Sequence, residues 1–92
     1  MESIRLTTQL TLWLAPIEEK IRLIVAEGET ELACRKEKKK NLIDYLTTDK
    51  TDLFKGRLQL KKRDSHIEVH LKGQIIGMLR AEDFKERLNK IQ

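Results

Sequence analysis

The chain has 92 residues, 37% of them charged and 39% apolar, with one proline, four glycines and one cysteine. That length suits one domain, 1–92, and excludes two. The composition is too apolar for a disordered chain, and the single cysteine, Cys34, excludes an internal disulfide. The longest apolar stretch, Leu10 to Ile17, is broken by Thr11 and Pro16 and falls far short of a membrane span, so no membrane association is expected. Met-Glu-Ser-Ile-Arg has no cationic head followed by an apolar run, and these features together fit a reducing cytoplasm.

The net charge of +4 is unevenly spread. Residues 1–46 hold eight basic and eight acidic side chains, so the excess lies in 47–92, where eleven basic residues face seven acidic ones. From Arg35 to Arg63 there are eleven Lys/Arg against four Asp/Glu, whereas Glu18 to Glu31 holds five glutamates against Lys20 and Arg22.

Strict alternation from Ile4 to Leu14, with Leu and Thr prominent, predicts one half-buried strand, bent in the middle and ended by Ala15-Pro16. Ile21, Leu23 and Val25 predict a second strand, Glu27-Gly28-Glu29 a turn, and Thr30, Leu32 and Cys34 a short third strand. From Lys36 the period changes, and Leu42, Ile43, Tyr45 and Leu46 lie at helical spacing. The lysines at the start of this helix oppose the macrodipole, which points to a purpose other than helix stability.

The second half repeats the order. Lys55 to Arg63 reads as a strand, Arg63-Asp64-Ser65 as a turn, and Ile67, Val69 and Leu71 as the next strand. Lys72-Gly73-Gln74 is a hairpin turn before a strand from Ile75 to Arg80, whose Ile76 and Met78 are expected to face outward with Ile24. Glu82 and Asp83 favour a helix start, and Phe84, Leu88 and Ile91 form its buried stripe. The fold class is therefore α+β, with two βββα halves, 1–48 and 53–92, forming a mainly antiparallel sheet with two helices packed on it. Laid over each other, the halves match Leu10–Leu12 with Leu58–Leu60, Ile21–Val25 with Ile67–Leu71, and Leu42 with Leu88.

No phosphate-cradling glycine loop, nucleophile elbow or acidic metal cluster is present, so no catalytic residue, metal or cofactor is assigned. His66 and His70, four apart on a strand, are separated by roughly 13 Å, too far to share an ion. His66, Glu68 and His70 would share a face with Arg57 and Lys61 in a hairpin, which keeps a small ribonuclease as a minor alternative to a non-enzymatic protein.

The basic segments carry the stronger signal. Lys55, Arg57, Lys61, Lys62 and Arg63 form one run without an acid, and Arg35, Lys36, Lys38, Lys39 and Lys40 another beside a helix start. Phosphate backbones require such charge, and a helix N-terminus adds N–H donors. Trp13 falls on the polar face of the first strand, where it serves either as a base-stacking platform or as a subunit-interface anchor. These residues predict a nucleic-acid-binding or regulatory protein, with single strands favoured over duplex. The alternative is an interaction module that forms a homo-oligomer or binds a protein partner.

The twofold order of a strand group followed by a helix, over Ile4–Leu46 and Leu53–Ile91, resembles the Whirly and PUR families of single-stranded nucleic-acid-binding proteins. Members carry about four strands per half, a count reached here only if Ile4–Leu14 breaks into two. The resemblance implies nucleic-acid binding by an oligomer. A βββα unit from Phe54 to Ile91 is also similar to the DNA-binding sheets of integrase arm-binding domains, whose sheet enters the major groove.

Overall fold

A computed structural model describes residues 1–91. The chain forms two four-stranded antiparallel meanders, each followed by a nine-residue helix. The first half comprises β1 (Glu2–Arg5), β2 (Leu10–Ile17), β3 (Lys20–Glu27), β4 (Thr30–Lys38) and α1 (Lys39–Thr47). The second comprises β5 (Asp52–Leu53), β6 (Leu58–Arg63), β7 (His66–Leu71), β8 (Gln74–Arg80) and α2 (Ala81–Asn89).

The α+β class stands, but each half has four strands rather than three. The expected strand Ile4–Leu14 is a hairpin. Thr7 Oγ1 accepts the N–H groups of Gln9 and Leu10, at 3.1 and 3.0 Å, and folds the chain back so that Ile4 pairs with Leu12. This turn preserves the parity of the pattern, so Ile4, Leu6, Leu10 and Leu12 read as one alternating run. Nor does Pro16 end a strand: β2 continues to Ile17, with Pro16 paired to Ile21. Proline is tolerated there because β1 stops short, its first residue Glu2 opposite Leu14, leaving that end of β2 as a sheet edge.

The third strand is longer than the sequence pattern indicates. β4 runs through Lys38, and α1 opens only at Lys39, so Arg35, Lys36 and Lys38 are strand residues. The second basic run divides as well. Phe54 adopts φ 71° and the chain bends through Lys55–Arg57 before β6 begins at Leu58, so Lys55 and Arg57 lie in a loop.

The halves correspond closely. Lys39 and Ala81 open the two helices, which aligns Leu42 with Phe84 and not with Leu88. Each half carries a β-bulge between its third and fourth strands, with Leu32 unpaired in one and Ile76 in the other. Both extra residues pack against the core, so Ile76 does not face outward as expected. Lys72 and Gly73, with φ of 53° and 81°, form the primed two-residue turn that suits the twist of a hairpin.

A single core holds the molecule together. Leu12, Leu14, Leu23 and Val25 of one sheet, Leu58, Leu60, Ile67 and Val69 of the other, and Leu42, Tyr45, Phe84 and Leu88 of the helices form one buried cluster. Both helices therefore cover the leucine faces, and the opposite faces of both sheets are uncovered. Gly77 allows the halves to close: a Cβ there would stand 2.8 Å from the Cβ of Leu6. Among the described residues, no helix is long and apolar enough to cross a membrane.

Candidate nucleic-acid interface

The strand registers fix what the uncovered face of the first sheet carries. Ser3, Trp13, Ile24 and Cys34 form one row across β1 to β4. Ala15, Arg22 and Lys36 form the next row, and Ile17, Lys20 and Lys38 the one beyond it. On the other side of the tryptophan row stand Arg5, Thr11, Ala26 and Glu31. Trp13, Ile24 and Cys34 are half-buried and take no part in the core cluster. The face thus presents an apolar centre with Arg5, Lys20, Arg22, Lys36 and Lys38 around it.

Glu31 is the one carboxylate in those rows, and it is neutralised by Arg22, whose Nη2 approaches Glu31 Oε1 at 2.9 Å. Arg22 Nη2 also lies 3.6 Å from the Cys34 sulfur. That contact, with the Glu31 charge, raises the guanidinium pKa further and keeps Arg22 cationic. Lys20, Lys36 and Lys38 are exposed and bridge to no acid among the described residues. Exposed Glu18 and Glu19 form the β2–β3 turn and bound the patch at that end.

The cations singled out in the sequence fall into distinct groups. Trp13, Lys36 and Lys38 converge on this face, and exposed Lys40 stands in the first turn of α1 beyond Lys38. Four others work inside the fold. Arg35 donates to the Lys55 carbonyl at 3.2 Å and lies 4.9 Å from the centroid of the Phe54 ring. Arg57 donates to the Leu32 carbonyl at 3.2 Å, so the two arginines clamp the β5–β6 loop to β4. Lys39 donates to the Ile91 carbonyl at 2.6 Å, which explains why a lysine opens α1 against the macrodipole. Lys62 donates to the carbonyls of Tyr45 and Thr48 at the end of α1. Lys55 is exposed in the loop, and Lys61 and Arg63 lie on the outer face of the other sheet.

The basic run 55–63 therefore forms no single strand face. Alternation sends Lys62 to the helix side and Lys61 and Arg63 to the other. The sequence reading missed Arg5, Lys20 and Arg22. The signal for Lys20 and Arg22 was available in the pairing of β3 with an extended β4, which sets Lys20 opposite Lys38 and Arg22 opposite Lys36, and that for Arg5 in its sharing the polar face of the alternating run with Trp13.

On the outer face of the second sheet, Glu68 is only 8% exposed. Its Oε1 meets His70 Nε2 at 3.0 Å and Arg63 Nε at 3.1 Å. The hydrogen bond from His70, then that from Arg63, holds the Glu68 carboxyl below the usual range. Lys61 pairs across from Glu68 as a hairpin requires, but Arg57 is committed to Leu32, so the suggested ribonuclease grouping is incomplete. Among the described residues, no group of three or more His, Cys, Asp or Glu could hold a metal ion.

No protein-family model matches this chain, and neither a curated protein nor a solved structure matches it.

Proposed function

We propose that this protein binds single-stranded nucleic acid on the outer face of its first sheet and performs no chemistry on it. One observation carries the reading: Trp13 stands at the centre of a helix-free sheet face with Arg5, Lys20, Arg22, Lys36 and Lys38 around it. Each base offers a π face to the half-buried indole, and stacking contributes about 1–3 kcal/mol per base. Exposed lysines neutralise phosphates and release condensed counterions. A broad sheet with one aromatic platform suits unpaired bases, whereas duplex DNA keeps its π faces stacked inside. The four strands in each half agree with the number in the Whirly and PUR proteins, which this element order resembles.

Trp13 is the only tryptophan and so reports its own engagement. Titration with labelled single-stranded and duplex oligonucleotides at about 50 mM salt should give tighter binding of the single strand, with quenching of the indole emission. Trp13→Ala should weaken binding, and Trp13→Phe should retain part of it. Absence of binding at that salt would overturn the proposal, as would binding that leaves the indole emission unchanged.

A further inference from the structure

The four outer strands of the two sheets are protected unequally. β1 has four residues and β5 two. β4 carries Glu31, Arg35, Lys36, Glu37 and Lys38, and its edge is covered where Arg57 reaches the Leu32 carbonyl. Charges, short strands and a covering loop are the usual means of keeping an edge from pairing with another chain. β8 has seven residues, Gln74–Arg80, with no charge between its ends. Among the described residues it makes no backbone hydrogen bond on the side away from β7. It also carries two of the most exposed large apolar side chains of the molecule, Ile75 at 58% and Met78 at 47%.

The register shows which backbone groups are free. Ala81 N–H donates to the Ser65 carbonyl at 2.9 Å. This places the pairs His66–Arg80 and Glu68–Met78 at the non-hydrogen-bonded positions of the antiparallel ladder. The N–H and C=O of Met78, and the N–H of Arg80, therefore point away from β7.

We propose that β8 is a homodimerisation edge and that its occupant is the β8 of a second copy, paired antiparallel about a twofold axis at Met78. In that register Met78 exchanges both backbone hydrogen bonds with its symmetry mate, and the Arg80 N–H meets the Ile76 carbonyl of the second copy. The two Met78 side chains meet on the outer face, next to Ile75. An identical strand fits because no charge lies between Gln74 and Arg80 to oppose its own copy. The same register brings the Lys72–Gln74 turn of one copy toward the exposed Glu82 at the head of the other's α2, so opposite charges meet at the rim. A chain of this length has a thin core and gains proportionately from a partner. The edge belongs to the second sheet, so the proposal does not rest on the Trp13 face.

The test is sedimentation equilibrium of the whole chain across low- to high-micromolar concentration, combined with amide hydrogen exchange. The expected result is a monomer–dimer equilibrium in which the Met78 and Arg80 amides are protected in the dimer and lose protection on dilution. Met78→Lys should raise the dimer dissociation constant by roughly tenfold or more with the circular dichroism spectrum unchanged, and Met78→Leu should leave it near wild type. Should the lysine variant fail to fold, Met78→Cys in a Cys34→Ser background decides. Facing hydrogen-bonded positions put their Cα atoms about 5.5 Å apart, so a short bis-maleimide should bridge the two thiols and give a covalent dimer. A monomer at every concentration would overturn the proposal. So would a dimer whose Met78 amide exchanges freely, one untouched by Met78→Lys, or a Met78→Cys protein that does not cross-link.

Discussion

Lys62 lies over the ring of Tyr45, its Nζ 4.7 Å from the ring centroid, and donates hydrogen bonds to the carbonyls of Tyr45 and Thr48. It thereby joins β6 of the second half to the end of α1 in the first. The last carbonyls of a helix lack intrahelical donors, and α1 has no basic residue in its own last turn. Lys62 supplies that charge from across the core, and the Tyr45 hydroxyl, donating to the Thr51 carbonyl at 2.9 Å, secures the following loop. Lys62→Met keeps the aliphatic stem and removes the donor. It should cost about 1–2 kcal/mol of stability in urea unfolding, from lost hydrogen bonds and the cation–π contact. Oligonucleotide affinity should not change, which separates Lys62 from the cations of the Trp13 face.

Gly77→Ala tests the seam between the halves. The added Cβ would meet the Cβ of Leu6 at 2.8 Å, an atom fixed to the backbone, so β8 or the β1–β2 turn must move. A loss of about 1–3 kcal/mol is expected, as for other overpacked sites. Combining it with Leu6→Ala leaves the Cβ in place, so that pair should still be strained, whereas Leu6→Gly should relieve the contact. A thermal denaturation cycle over Gly77→Ala and Leu6→Gly should show this coupling, and strictly additive losses would count against a direct contact.

The sequence made the class, the two-halved order and the leucine faces legible, because alternation and helical spacing are properties of local chain geometry. It hid elements whose signal lay in local turn chemistry or in strand pairing rather than in periodicity. The β1–β2 turn depends on the Thr7 hydroxyl, which breaks no alternation. The extension of β4 through Lys38 depends on pairing with β3, and a lysine-rich segment carries little strand preference of its own. Charge density was visible and its use was not. Arg35, Lys39, Arg57 and Lys62 are spent on carbonyls distant in sequence, while Lys20 and Arg22, inside a segment that is acidic on balance, stand with Lys36 and Lys38.

Salt dependence should distinguish the two outer sheet faces. Each phosphate neutralised on a single strand contributes about 0.7 to the slope of log affinity against log salt. Lys36→Gln with Lys38→Gln should lower the slope by about 1.4 and weaken binding similarly across sequences. Lys61→Gln, on the other sheet, should leave the slope unchanged. If the Lys61 variant alone flattened it, the strand would run on the second sheet and the Trp13 face would lose its assignment.

Glu68 gives the fold an acid-sensitive contact. Hydrogen bonds from His70 and Arg63 favour its charged form, so its pKa in the folded protein lies below the value of about 4.3 expected in an unfolded chain. The unfolded state therefore takes up a proton first as pH falls. The stabilisation from Glu68 is complete above the unfolded value and is lost as pH drops through the folded one. Glu68→Gln keeps the shape and removes the titration. Urea unfolding at a series of pH values should show the variant less stable than wild type at neutral pH, with the gap closing below about pH 4. A gap that stays constant into acid would mean that the carboxylate charge contributes nothing there. In that case packing of the side chain between Arg63 and His70 would account for its burial.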